Sequence, residues 1–233
     1  MVIVILAGLG IAGSAVLFLV TPSPGNAGAL VQAQDRAHGV AYPGPPVPAR
    51  FARALVATED HRFYQDPGID PVAIGRVVLG RLSGGGDEGG ATIDQQLAKM
   101  LYTPGRGGLS AEAEQLALAV KLDLTYSKAR ILQMYAEVAY FGHGFYGLAA
   151  ASCGYFGAPP ARLSWPQAAL LAGLVQAPSA DDPLVHPAQA RAREAHVLGR
   201  LVAMRDLTRA QAGEASSQPL LSLAAHGSTG CAT

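Results

Sequence analysis

Between residues 54 and 70 the chain reads ALVATEDHRFYQDPGID and gathers Glu59, Asp60, His61, Arg62, Asp66 and Asp70, although only 15% of all residues are charged. Carboxylates concentrated in this way suit proton transfer, because a hydroxyl becomes a useful nucleophile only when a base takes its proton. A second stretch, TIDQQLAKM from Thr92, sets Gln95 and Lys99 four residues apart on one helical face, with Gln96 beside them. Amides bond sugar hydroxyls and other amides, while a lysine meets a phosphate as a point charge. The plain alternative for this stretch is a solvated helix face.

The bulk numbers exclude several functions. Lys and Arg together number 17, as do Asp and Glu, so no field of one sign attracts nucleic acid. An apolar fraction of 50% supports a sizeable core. Cys153 and Cys231 are the only cysteines, and neither a zinc spacing nor a disulfide framework follows from two. Cys153 reads as a small buried hydrophobe. His143 and His186 lack partners at metal-ligand spacing and read as loop or capping residues, so no metal ligands are assigned.

Other segments must position these groups. Val2 to Val20 carries no charge, long enough for a helix across a bilayer, so residues 1–20 are expected to be a single transmembrane anchor or an uncleaved signal. The GLGIAG within it fits the G-x-G-x-x-G of dinucleotide-binding folds, but no charged residue occurs before Asp35 to give a helix its polar face. Residues 21–48, rich in Pro, Gly and Ala, read as a linker. The folded domain is expected over 49–214, with a flexible tail over 215–233. Asp70 and Pro71 start a helix that runs through Ile74, Val77 and Val78, and the glycine-rich residues 83–90 form a loop without the ending of a P-loop. Helices follow near 92–101, 111–124, 128–139 and 146–156, then a buried helix capped by Ser164 and a long amphipathic one from Pro187. The aromatic residues Tyr135, Tyr140, Phe141, Tyr146, Tyr155 and Phe156 read as core, and no strand-like alternation of useful length appears.

Four stretches, in order, carry a family resemblance. ATEDHRFYQDPGID resembles the first signature of the peptidoglycan glycosyltransferases, E-D-x-x-F-x-x-H-x-G-x-D; GGATIDQQLAKML resembles their G-G-S-T-I-T-Q-Q-L-x-K-N. YSKARILQMYAEVAYFG is similar to Y-S-K-x-x-I-L-E-x-Y-L-N-x-x-Y-F-G, and AREAHVL to R-R-x-x-V-L. The resemblance covers about residues 49 to 205. It implies an all-α, lysozyme-like, two-lobed helical domain preceded by a single transmembrane helix, in the cytoplasmic membrane with the domain on the extracytoplasmic face. It also implies an inverting transfer in which the 4-hydroxyl of one lipid II attacks the lipid-linked growing glycan and undecaprenyl diphosphate leaves. Lipid II, nascent glycan, the membrane and a cell-wall transpeptidase are the partners implied. The resemblance implies no required cofactor, with Mg2+ or Mn2+ as an optional addition, because the departing diphosphate calls for a cationic group or a metal.

Residue by residue, Glu59 takes the place of the family's general base. Lys99 and, after a one-residue loop adjustment, Arg106 match positions that face the diphosphate, while Asp60, Arg76, Thr92, Gln95 and Gln96 match further substrate-binding positions. The family's second glutamate falls at Gln115, 56 residues beyond Glu59. An amide bonds there but takes up no proton. Glu112, one turn earlier on the same face, is the candidate stand-in; Glu114 is displaced by about 100° around the helix. Further departures are Asp66 for histidine, Ala91 and Asp94 for hydroxyl residues, Gln133 and Glu137 for Glu and Asn, and Glu194 for the second Arg, which together alter the charge expected around the cleft. Two rival readings stay open beside the monofunctional polymerase: a weakened or inactive relative that binds lipid II or glycan or scaffolds cell-wall enzymes, and a lysozyme-like hydrolase using Glu59 as acid.

Overall fold

The computed structural model describes residues 16–72 and 91–220. The GLGIAG stretch, the glycine-rich loop at 83–90 and Arg76 lie outside the described residues, as does most of the expected transmembrane run. Among the described residues no helix is long and apolar enough to cross a membrane.

The described chain is all-helical, with one isolated bridge between Tyr140 and Tyr146. Its helices are α1 (Ala27–Ala37), α2 (Ala49–Glu59), α3 (Ile93–Tyr102), α4 (Leu109–Thr125), α5 (Lys128–Val138), α6 (Leu148–Phe156), α7 (Trp165–Leu174), α8 (Pro187–Ala203) and α9 (Arg209–Ser216), with 3-10 turns at Pro24–Asn26 and Pro160–Arg162. The chain divides into two compact units: residues 1–30 with 62–131, and residues 31–61 with 132–233.

In the first unit α3 packs against α4, burying Ile93, Leu97 and Leu101 on one side and Leu118 and Leu122 on the other. Thr92 starts α3 by accepting the Gln95 N–H at 3.1 Å. The Thr92 hydroxyl donates to the Gly68 carbonyl at 2.6 Å, which ties the two signature stretches together. Gly68 has φ +85°, and a Cβ there would meet the Ala119 carbonyl oxygen at 2.5 Å, so both its backbone and its surroundings require glycine. Asp70 accepts the Val72 N–H at 2.9 Å, where the sequence places a helix start, and the stripe expected at Ile74, Val77 and Val78 lies outside the described residues. Residues 18–26 are strapped down by side chains: Lys121 donates to the Thr21 carbonyl at 2.6 Å, and Tyr126 donates to that of Pro24 at 2.9 Å.

In the second unit α7 packs against α2 and α8. From Ala168 to Leu174 every α7 residue is buried, and Leu170 and Leu171 each contribute about 2 kcal/mol by leaving water. The predicted Ser164 start holds, its N–H bonding the Gln167 side chain at 2.9 Å. Of the aromatics expected in the core, Tyr135, Phe141, Tyr155 and Phe156 are buried, whereas Tyr140 and Tyr146 are only half-buried.

Three expectations are corrected. The stretch read as a linker contains α1, whose Ala27, Val31 and Asp35 are buried at helical intervals. The stretch read as a flexible tail from 215 begins inside α9, and Arg191 donates to the Ser216 and Gln218 carbonyls at 3.2 and 2.8 Å. Cys153, read as a small buried hydrophobe, is disulfide-bonded.

Candidate functional site

Glu59 is the last residue of α2, in the second unit. Its side chain is 10% exposed and accepts from Nη2 of Arg193, on α8, at 3.4 Å. Arg193 is itself fixed, its Nε donating to the Gly173 carbonyl at 3.0 Å at the end of α7. Gly173 makes room for this: a Cβ there would lie 2.7 Å from Arg193 Cγ. Arg200 adds a second tie between α8 and α2, donating to the Ala57 carbonyl at 3.0 Å. Burial, then the charge of Glu59, pushes the Tyr135 phenol well above its ordinary value, so Glu59 and the fully buried Tyr135 act on each other. Asp60, next in the chain, is 5% exposed.

The second-signature residues belong to the first unit. Thr92 is 2% exposed and occupied by the helix start and the Gly68 tie. Gln95 and Gln96 are half-buried, and Lys99 is exposed. Arg106 is exposed and pairs with Glu114 at 2.9 Å. Gln115 is 5% exposed and donates to the Thr103 hydroxyl at 2.9 Å, Thr103 itself being fully buried. Glu112 is exposed in the first turn of α4 and forms no ion pair among the described residues, while Glu114 is the acid held by a cation. Gln115 and Glu112 therefore differ in burial although helix geometry puts them on one face.

Lys128, the lysine of the YSK stretch, was not singled out by sequence reasoning and proves to be an electrostatic centre. Its ammonium lies 3.2 Å from Asp66, 3.2 Å from Asp94 and 2.8 Å from Asp123, and 4.5 Å from the ring centre of Phe63. Burial pulls the lysine's pKa down, but the three acids outweigh it and hold the ammonium above its usual range. Asp94 is fully buried, and this burial raises its pKa to about 6 against the pull of Lys128. Asp66 and Asp94, two of the departures from the family pattern, are thus both absorbed by one internal cation. Arg193 was missed in the same way; both basic residues stand inside signature stretches, which was the signal available. His143 faces Asp182 at 3.2 Å in a loop, as its sequence context suggests.

The transglycosylase family's sequence profile matches residues 9–202. Penicillin-binding protein 1A of Aquifex aeolicus is 39% identical over 175 residues, which cover 75% of this chain and 24% of that protein. Penicillin-binding protein 1F of Bacillus subtilis is 38% identical over 156 residues, 66% of this chain and 22% of that protein. Penicillin-binding protein 1A of Mycobacterium tuberculosis is 39% identical over 166 residues, covering 70% and 20%. The chain belongs to the transglycosylase family, and so to the glycosyltransferase class of enzymes. It spans about a fifth to a quarter of the length of these relatives.

Proposed function

We propose that the chain polymerises lipid II into glycan strands by inverting transfer, with release of undecaprenyl diphosphate. The observation that carries this reading is Glu59: a carboxylate at the start of the first signature, nine-tenths buried, its direction fixed by Arg193 and a rigid α7–α8 contact. In this reading Glu59 takes the proton of the attacking 4-hydroxyl, and holding the base in one direction favours the transfer geometry. Lys99 and Arg106, both exposed, meet the diphosphate as its charge grows. Gln95, Gln96, Thr92, Asp60 and Arg76 supply substrate contacts or the scaffold for them. The helical architecture is read as the lysozyme-like fold, residues 49–214 as its catalytic domain, and residues 1–20 as an anchor that keeps it at the outer face of the cytoplasmic membrane. A transpeptidase acting on the same strands is the partner this activity calls for.

A second reading is favoured by Gln115. Its amide is buried and donates to Thr103, where the family carries an acid, so the site lacks a second ionisable group at that place. A chain that binds lipid II or glycan without joining it fits that feature. Incubation of the membrane-reconstituted protein with labelled lipid II, with and without a divalent cation, separates the two. Chains resolved on a gel support the polymerase; retained lipid II binding without chains in either condition supports the binding module.

A further inference from the structure

Two buried acids of the second unit have no cation among the described residues. Asp35, on α1, is 2% exposed and Glu137, on α5, is 4% exposed. Glu137 Oε1 accepts from the Gly44 N–H and from Gln133 Nε2, both at 3.0 Å. Its Oε2, like Oδ2 of Asp35, is buried without a hydrogen-bond partner. Among the described residues neither acid forms an ion pair. Arg36 and His38, the nearest basic residues along the chain, are exposed, and the His38 ring stacks on Tyr146 at 3.5 Å between centroids. Residues 40–47 and 147–149 contribute no ionisable side chain but Tyr42. Beside Glu137 lies a void of about 20 Å³, lined by Val40, Gly44, Pro45, Gln133, Ala136 and Leu148. That is room for one water, and its apolar walls do not furnish the oxygen shell of a metal ion.

An ionised carboxylate buried with an orphaned oxygen is costly, and one proton relieves this by removing a charge and turning an acceptor into a donor; both acids carry this cost, and the charge of Glu137 adds to it at Asp35. We propose that Asp35 and Glu137 form a proton-operated latch: while the pair holds one proton, residues 31–37 of α1 stay fastened to their unit, and when the proton leaves, α1 loosens. The proton resides on Asp35, whose pKa is raised to about 6 by burial first and by the charge of Glu137 second. A folded-state value above the unfolded one means that the folded form holds the extra proton, so the latch is closed at acid pH and opens as pH rises through about 6. The segment between the apolar N-terminal run and α2 thereby becomes sensitive to the acidity around it.

Hydrogen exchange of the α1 amides at about pH 5 and about pH 7.5, corrected for intrinsic rates, tests the latch. Protection of α1 is expected to fall about tenfold or more at the higher pH while α7 is unchanged, and Asp35→Asn is expected to keep α1 protected at both. Infrared spectra at the lower pH are expected to show a protonated carboxyl C=O stretch that Asp35→Asn removes. Equal protection at both pH values in the native chain, or the same loss in Asp35→Asn, overturns the proposal. Should Asp35→Asn not fold, Glu137→Gln replaces it, since removal of the second charge lowers the pH at which Asp35 ionises and must shrink the change; an unchanged response in that variant also overturns the latch.

Discussion

Lys128 and Glu137 stand at opposite ends of α5 and solve the same problem in opposite ways. Around Lys128 three buried or half-buried aspartates share one ammonium, so charge is met by charge. Around Glu137 the acid rests on a backbone N–H and on the amide of Gln133, with no cation present among the described residues. Both regions hold departures from the family pattern, and in both the departures come as matched sets. Asp66 and Asp94 converge on Lys128. Gln133 and Glu137 exchange the acid and the amide that the family places in the reverse order, and still bond each other at 3.0 Å. Asp66 and Asp94 are 9% and 0% exposed and turn to an internal partner, Lys128. Glu194, another departure, is likewise buried, against Arg191 at 2.6 Å. What the comparison teaches is that an ion-paired cluster depends on its one cation, whereas an acid held by neutral donors depends on their number.

The sharpest break is Lys128→Met, which leaves three acids facing one another; it should cost about 3–5 kcal/mol in denaturant unfolding. A loss below about 1 kcal/mol would mean the cluster is already neutralised by protons. Gln133→Ala comes next. It strips Glu137 of one of its two donors and frees the Val47 N–H, bonded to Gln133 at 3.1 Å, so a loss of about 2 kcal/mol is expected by thermal or chemical unfolding.

Asp94→Asn should act in the other direction. The folded-state pKa of Asp94 is about 6, above its unfolded value, so its ionisation weakens the fold as pH rises from about 4 to about 6, and the penalty is complete above that. The variant is therefore expected to gain about 1 kcal/mol at neutral pH and to flatten the stability profile between those limits, measured by unfolding across pH. The smallest effect belongs to Glu112→Gln. As an exposed first-turn residue it should change stability by less than about 0.5 kcal/mol and leave polymerisation as it is.

Much of the fold was legible because its signals are local. Ser164 with Gln167 marks the start of α7, Thr92 marks that of α3, and Ile131, Tyr135 and Val138 repeat along α5 at the spacing of one buried face. Helix α1 escaped because its buried positions are Ala27, Val31 and Asp35: an i, i+4, i+8 stripe made of one small residue, one apolar residue and one acid gives almost no hydrophobic period. The site was legible as a set of signature positions but not as contacts. Arg193 reaches Glu59 across 134 residues, and Lys128 reaches Asp66 and Asp94 across 62 and 34, separations at which no window of sequence shows a partnership. Gln115 was read by register as the second-glutamate position, but its bond to Thr103 depends on how α3 and α4 pack and has no local signal.

The central claim is that the Glu59 carboxylate performs the proton transfer of glycan synthesis. Chain formation from labelled lipid II by the native protein and by Glu59→Gln, compared at matched folded concentration, tests it most directly. The expected result is a loss of at least about a hundredfold in the variant, the usual weight of a general base, with lipid II binding retained. Equal polymerisation by the two proteins would contradict it.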